Sequence, residues 1–186
     1  YEKLLAQKTF DFGVFSYSMP GDNEPENVAS TREKLRAETS RLEAVFGRPF
    51  DIMPTYSHIA WYSSKMEFPS TLAGEFAGGD GFNSKPVLQF TYQFTTNNNN
   101  VSSYNSTQCQ TPMFDILRGV YDEDFRKLAS AIKAYGNPVL FRLNNEMNTD
   151  WTSYCGMMTL CDPEIFILTW RYLYDIFESE GVDNCI

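Results

Sequence analysis

The sequence predicts an α/β protein in which a parallel sheet is covered by helices. Short apolar segments alternate with longer segments of helical period along the 186 residues, as in strand–helix–strand units. The apolar segments do not alternate cleanly between polar and apolar residues, which is typical of strands that are buried on both faces. Apolar residues make up 42% of the chain, enough for a packed core.

The first half of the chain contains three predicted strands. Residues 12–17, FGVFSY, are rich in aromatic and β-branched residues and run into a Met-Pro-Gly turn. Residues 50–56 form the second strand and residues 85–94 the third. Residues 26–46 carry apolar side chains near a 3.6-residue period and end at a glycine, which predicts a helix. A short helix also fits within residues 71–81.

The second half continues the same alternation. Asp122 is predicted to cap a helix that ends near Tyr135. Residues 138–143 form the fourth strand. The next helix spans residues 163–180, because an Asp-Pro-Glu sequence supplies an N-cap, a first-turn proline and an acidic residue. Residues 182–186 begin a fifth strand.

Composition and charge exclude several classes of function. The net charge of −9 argues against nucleic-acid binding, which needs clustered Lys and Arg. No apolar run reaches the 18 residues that a membrane span needs. The single histidine and the lack of a Cys-x-x-Cys pair argue against a metal site, and no cofactor is expected. Cys109 could pair with Cys155 or Cys161 in a secreted protein, and free thiols are the alternative.

The segment Leu140–Trp151, LFRLNNEMNTDW, contains the strongest candidate for chemistry. In parallel α/β folds, functional residues follow the carboxyl ends of strands, and Glu146 lies a few residues beyond the fourth strand. It is surrounded in sequence by asparagines and by Trp151. We predict a carboxyl group in a semi-dry pocket that does acid–base work on a sugar. The alternative is an ordinary loop of turn-forming residues.

Glycoside hydrolysis by retention needs one carboxyl group that is protonated near neutral pH. Burial against Trp151 would raise the pKa of Glu146, and Asn145 is suited to holding a sugar 2-hydroxyl. Further candidate sugar contacts are Tyr17, His58, Trp61, Trp151 and Tyr154. Core packing is the alternative for His58 and Trp61, and loop packing is the alternative for Trp151 and Tyr154. Tyr92 and Phe94 lie close to the end of the third strand and are strand-end candidates for the same site.

The segment FRLNNEMNTDW resembles the acid/base motif of glycoside hydrolase family 26, which includes the β-mannanases. That motif is close to Arg-Pro-x-His-Glu-Met-Asn-Gly-x-Trp and follows the fourth strand of a (β/α)8 barrel. Arg142, Glu146, Asn148 and Trp151 match it, and the flanking residues from 120 to 186 resemble the family's surrounding helices and strands. The family's histidine is an asparagine here, which gives the Asn-Glu pair of the wider clan of retaining barrel glycosidases. The family's glycine is a threonine, and an expected tryptophan further on is a tyrosine.

The resemblance implies one partial domain over residues 1–186, the amino-terminal half (first to fifth strand) of a (β/α)8 TIM-barrel type. It implies a secreted or cell-surface, endo-β-1,4-mannanase-like enzyme that acts on a β-linked polysaccharide such as β-mannan. Glu146 would be the general acid/base, with Asn148 in support and with Arg142 orienting carboxylates from beneath instead of touching the substrate. The nucleophile carboxylate comes from the seventh strand of such barrels and is absent from this chain, so the missing carboxyl-terminal half of the barrel would be a partner. The alternative is a non-catalytic module that binds carbohydrate or a protein partner.

Overall fold

The computed structural model describes helices and a small parallel sheet. The described residues are 11–14, 29–58, 67–94, 113–149, 152, 154–155 and 161–186. The chain divides into two compact units, one comprising Tyr1–Pro54 with Thr71–Gln89 and the other Thr55–Ser70 with Phe90–Ile186.

Three strands form the sheet. They are β1 (Ile52–His58), β2 (Val87–Gln93) and β3 (Val139–Leu143), which correspond to the second, third and fourth predicted strands. They lie side by side in the order β1-β2-β3, and all are parallel. The predicted α/β class with a parallel sheet is therefore confirmed, whereas the (β/α)8 barrel stays a prediction.

Single parallel bridges extend the sheet at both edges. Gly13 bridges to Ile52, and Val139 bridges to Cys185, with the Val139 N–H donating to the Asn184 carbonyl at 2.9 Å. These bridges lie where the first and fifth strands were predicted. Neighbours in the sheet thus follow one another in sequence, without the reversal of strand order that marks a doubly wound sheet.

Five helices accompany the sheet in the described part of the chain. Those predicted from periodicity are present within a few residues of the expected bounds, including the short helix after β1, whereas the five-residue α3 was not predicted. The helices are α1 (Ala29–Phe46), α2 (Ser70–Gly78), α3 (Met113–Leu117), α4 (Asp122–Tyr135) and α5 (Pro163–Ser179).

The amino-terminal caps of α4 and α5 differ. The Asp162 carboxylate accepts a hydrogen bond from the Glu164 N–H at 2.9 Å, so the predicted cap of α5 is confirmed. The predicted cap of α4 is wrong, because Tyr121 occupies the N-cap position and makes no side-chain cap bond. Asp122 is the first helical residue instead and accepts a hydrogen bond from the Tyr172 hydroxyl at 2.8 Å.

One face of the sheet in the second unit packs on helices through aromatic rings. Tyr92 and Phe94 are fully buried, and their ring centroids lie 6.2 and 6.1 Å from that of Phe125 on α4. Phe141 on β3 lies 5.3 Å from Phe177 on α5. This face is therefore the hydrophobic core of the unit, since aromatic pairs at these distances bury large areas.

The amino-terminal end of β3 is held by side chains from the segment that follows α5. The Asn184 amide donates to the carbonyls of Ile132 and Asn137 at 2.8 and 2.9 Å. Lys133 donates to the Glu180 carbonyl at 2.8 Å. These bonds satisfy carbonyls near the carboxyl termini of α4 and α5 and connect consecutive helix–strand segments.

In the first unit a buried carboxylate connects α1 to two loops. Glu43 is 5% exposed and accepts hydrogen bonds from the Phe50 N–H at 2.8 Å and the Asn83 amide at 2.5 Å. Arg32 on the same helix pairs with Glu75 on α2 at 2.6 Å. The buried charge is thus hydrogen-bonded through both oxygens, as burial of a carboxylate requires.

Candidate functional site

The sheet face opposite the aromatic core carries polar side chains near the carboxyl ends of the strands. Because successive side chains of a strand point to opposite faces, Thr91 and Gln93 of β2 point away from the core that Tyr92 enters. Arg142 of β3 lies on the same polar face. Its Nε donates to the Thr91 hydroxyl at 3.0 Å, and its Nη2 donates to the Tyr56 hydroxyl at 2.9 Å.

Arg142 therefore connects all three strands within the second unit. Its guanidinium carbon also lies 5.7 Å from the centre of the Tyr56 ring, within the range of a cation–π contact. The sequence predicted that this arginine orients carboxylates. Within the described residues its guanidinium contacts two hydroxyl groups, and a role in orienting carboxylates stays a prediction.

Asn145 is held by two neighbours on this polar face. Its Oδ1 accepts from Gln93 Nε2 at 2.6 Å and from the Tyr154 hydroxyl at 3.4 Å. Gln93 Nε2 also lies 3.3 Å from the Tyr154 hydroxyl oxygen. Since the oxygen of the Asn145 carboxamide faces these donors, its Nδ2 points away from them.

Tyr154 stays a neutral hydrogen-bonding group over a wide pH range. It is 1% exposed, and this burial is the main cause that raises the pKa of its phenol. The nearby Glu146 carboxylate raises the pKa further, whereas the hydrogen bond from Gln93 opposes the shift. The phenol can therefore keep donating to Asn145 at neutral pH.

The backbone around Asn145 adopts an unusual conformation. Asn144 and Glu146 have φ angles of 52° and 54°, in the left-handed region that most residues with a side chain avoid. The Asn144 N–H donates to the Tyr92 carbonyl at 2.8 Å, and Asn144 Oδ1 accepts from the Phe94 N–H at 2.7 Å. Such conformations cost free energy and are found preferentially at functional sites.

Glu146 lies in a tight turn directly beyond this segment. Its carbonyl accepts from the N–H and the hydroxyl of Thr149, at 3.1 and 2.8 Å. Its side chain is exposed, so the prediction of a semi-dry pocket around the carboxyl group is wrong.

The structure brings together only part of the predicted site. Asn145 and Tyr154 are in contact, but Tyr154 is 1% exposed, so its prediction as a sugar-stacking face is wrong. Asn148 is exposed in the turn after Glu146. His58 is the last residue of β1, and its side chain lies outside the described part of the chain. Three predicted sugar contacts also lie outside the described residues: Tyr17, Trp61 and Trp151. The same is true of Cys109 and of its predicted pairing.

Two predicted site residues belong to the core instead, and four residues of the polar face were missed. Tyr92 and Phe94 pack against α4, so their prediction as strand-end site residues is wrong. In the third predicted strand, polar residues alternate with these aromatics, and that period of two indicates that the polar ones share the opposite face. Tyr56, Thr91 and Gln93 were not named from the sequence at all, and the fourth, Asn144, was noted only as one of the asparagines around Glu146.

Comparisons with family models and curated proteins identify no relative of this chain. No protein-family model matches the chain, and a search of curated proteins gives no significant match. Across the described ranges, no group of three or more His, Cys, Asp or Glu side chains is arranged to hold a metal ion. No helix in that part of the chain is long and apolar enough to cross a membrane.

Proposed function

We propose that the chain carries the acid/base side of a retaining glycoside hydrolase site, with Glu146 as the general acid/base. One observation carries this proposal. Asn145 and Glu146 follow the carboxyl end of β3, and the Asn145 carboxamide is fixed there by Gln93 and Tyr154. The choice of a β-linked polysaccharide such as β-mannan, and of an extracellular setting, rests on the resemblance of the motif to family 26.

Asn145 is oriented to bind a sugar hydroxyl. Because Gln93 and Tyr154 occupy its oxygen, its Nδ2 is directed elsewhere and can donate to the 2-hydroxyl of a glycan. That interaction strengthens as the sugar ring approaches the oxocarbenium-like transition state. The amide is neutral, so it does not add a positive charge that would lower the pKa of the neighbouring acid.

Because the Glu146 side chain is exposed, a bound glycan can itself exclude water from the carboxyl group. A sugar ring seated over the carboxyl group would displace water from it, and desolvation favours the protonated form. The acid would then protonate the glycosidic oxygen while a carboxylate attacks the anomeric carbon, forming a glycosyl-enzyme intermediate. In the second step Glu146 would take a proton from the attacking water.

The proposed mechanism needs a nucleophile, which we place outside these 186 residues. In retaining enzymes the two carboxyl groups lie about 5–5.5 Å apart. In the family that the motif resembles, the second carboxylate comes from the seventh strand. A carboxyl-terminal half of the barrel is therefore the partner that this proposal requires.

Glycan binding by the chain itself is the first test. We expect β-1,4-mannohexaose to bind in isothermal titration calorimetry, and Asn145→Ala to weaken binding about tenfold, the equivalent of about 1.4 kcal/mol. Asn137→Ala is the matched control, because Asn137 is exposed at the amino-terminal end of β3. Equal affinities for wild type and Asn145→Ala, or no binding of any β-linked oligosaccharide, would refute the proposed site.

Catalysis is tested on a protein that also contains the carboxyl-terminal half of the barrel and its nucleophile carboxylate. Glu146→Gln keeps the shape of the side chain and removes its acid function. It should therefore bind the glycan and lose hydrolysis by about a hundredfold or more. Hydrolysis at the wild-type rate would rule out Glu146 as the acid/base.

One observation favours a second candidate function, a non-catalytic carbohydrate-binding module. The Glu146 side chain is exposed, whereas a catalytic site usually excludes water from its reacting groups. On this alternative, glycan binding depends on Asn145 and no hydrolysis appears even when a carboxyl-terminal half is supplied.

A further inference from the structure

We infer that Gln93 and Asn144 are positioning residues that together fix the direction of the Asn145 carboxamide. Their role in glycan recognition rests on the proposed function. The positioning itself rests on the hydrogen bonds between the ends of β2 and β3. From the sequence, Asn144 was noted only as one of the asparagines around Glu146 and Gln93 was not noted at all, and neither is required to touch a substrate.

Asn144 continues the pairing of β2 and β3 beyond the point where β3 ends. β3 terminates at Leu143, and the next residue turns into the left-handed region. Its N–H still donates to the Tyr92 carbonyl at 2.8 Å. Its side-chain Oδ1 takes the place of a backbone carbonyl and accepts from the Phe94 N–H at 2.7 Å. The side chain therefore anchors the turn to β2.

Gln93 lies between the two residues that hold Asn144. Its backbone is flanked by Tyr92 and Phe94, and its side chain reaches Asn145 Oδ1 at 2.6 Å. Three consecutive residues at the end of β2, Tyr92 to Phe94, thus hold two consecutive residues after β3. A shift of Asn144 would move Asn145 away from the Gln93 amide, so the two contacts act together.

Asn144 lowers the stability of the fold at this position, because its backbone is in the left-handed region and its buried amide donor is unsatisfied among the described residues. It is 6% exposed, and its Nδ2 makes no hydrogen bond within the part of the chain that the structure describes. Glycine would adopt the positive φ with less strain and would leave no buried donor unsatisfied. Glycine would, however, lose the acceptor that holds the Phe94 N–H. The retained Oδ1 is the feature that distinguishes asparagine here.

Nuclear magnetic resonance of the whole chain tests the positioning directly. The side-chain amide signal of Asn145 is assigned by its loss in Asn145→Asp, and its 15N relaxation reports how rigidly the carboxamide is held. Asn144→Gly keeps the backbone conformation and removes Oδ1. Gln93→Met keeps the side-chain length and removes the donor. Gln89→Met is the matched control, because Gln89 lies on the same strand and the same face.

We expect both variants to fold, to increase the mobility of the Asn145 amide and to weaken mannohexaose binding about tenfold. The Gln89→Met control should change neither measurement. An Asn145 amide that stays as rigid as in wild type in both variants would overturn the inference. A mobile amide with unchanged affinity would show that its orientation does not matter for glycan binding, and would overturn the functional part.

The proposed function and the positioning can fail separately. If wild type binds no β-linked oligosaccharide, the proposed function fails, and the relaxation measurements still decide whether Gln93 and Asn144 hold Asn145. If wild type binds and both variants bind equally well, the positioning role in recognition fails and the proposed function stands.

Discussion

Replacing Arg142 with methionine tests whether the polar face of the sheet stabilises the second unit. The substitution removes the guanidinium and keeps most of the aliphatic stem. It breaks the hydrogen bonds to Thr91 and Tyr56 and the contact with the Tyr56 ring. The backbone of β3 should not change, because the side chain lies on the face opposite the aromatic core.

The expected cost is about 2 kcal/mol, and most of it comes from Thr91. The Thr91 side chain is 0% exposed, so loss of its partner leaves a buried hydroxyl unsatisfied, at roughly 1–3 kcal/mol. The contacts with Tyr56 are exposed, and an exposed cation–π contact contributes about 0.5–1 kcal/mol. The Thr91 term therefore dominates.

Urea unfolding of a double-mutant cycle measures that term. Thr91→Val removes the hydroxyl and keeps the side-chain shape, so it should lower the cost of Arg142→Met by about 1 kcal/mol. The free energy of unfolding is compared for wild type, both single variants and the double variant at the same m-value. Costs that add to within about 0.3 kcal/mol would refute the reasoning, because they would show that the two side chains are not coupled.

Three further predictions concern pH, thiol reactivity and helix capping. Burial raises the pKa of Tyr154, so its contribution to stability is present below the ordinary tyrosine pKa and is lost as the pH rises through the raised value. Urea midpoints from about pH 8 to pH 11 should fall less in Tyr154→Phe than in wild type, and equal falls would contradict this. Burial raises the pKa of Cys185 to about 11 from 9.0, so its alkylation by iodoacetamide should be about a hundredfold slower than that of an ordinary thiol. The exposed Cys161 serves as the internal comparison in peptide mass spectrometry, and equal rates would contradict the shift. Asp162→Ala should lower the free energy of unfolding by about 1 kcal/mol and Asp162→Asn by much less, and equal losses in urea unfolding would argue against the bond to the Glu164 N–H.

The sequence predicts the parallel sheet and most helices because their signals are local. The helical period of residues 122–135 and the Asp-Pro-Glu start of α5 are set by neighbouring residues, and both helices form where expected. The cap of α4 was missed for a physical reason. Asp122 is a good capping residue, but its carboxylate accepts from the hydroxyl of Tyr172 on α5, and sequence spacing does not show that contact.

The site was predicted less completely, because its geometry depends on contacts between strands. The Asn-Glu pair could be identified from the sequence, but the exposure of the Glu146 side chain could not. The left-handed conformation at Asn144 and Glu146 turns the chain, and the carboxyl group is exposed. Gln93 and Thr91 of β2, which bind Asn145 and Arg142, lie more than fifty residues earlier in the sequence. The alternation of polar and aromatic residues in β2 is the sequence signal that predicts Thr91 and Gln93 on the polar face.

Asn184 makes its hydrogen bonds at the amino-terminal end of β3, whereas Asn145 and Glu146 follow the carboxyl end of that strand. These bonds join the carboxyl terminus of α4 to the segment after α5. During adaptation of such a protein to a new ligand, the two ends of β3 would therefore tolerate substitution to different degrees. Residues of the loop after β3 could vary with little loss of fold, whereas Asn184 would be under selection for folding whatever the ligand is. A library randomised at residues 146–149 should keep many folded members, and one randomised at Asn184 should keep few.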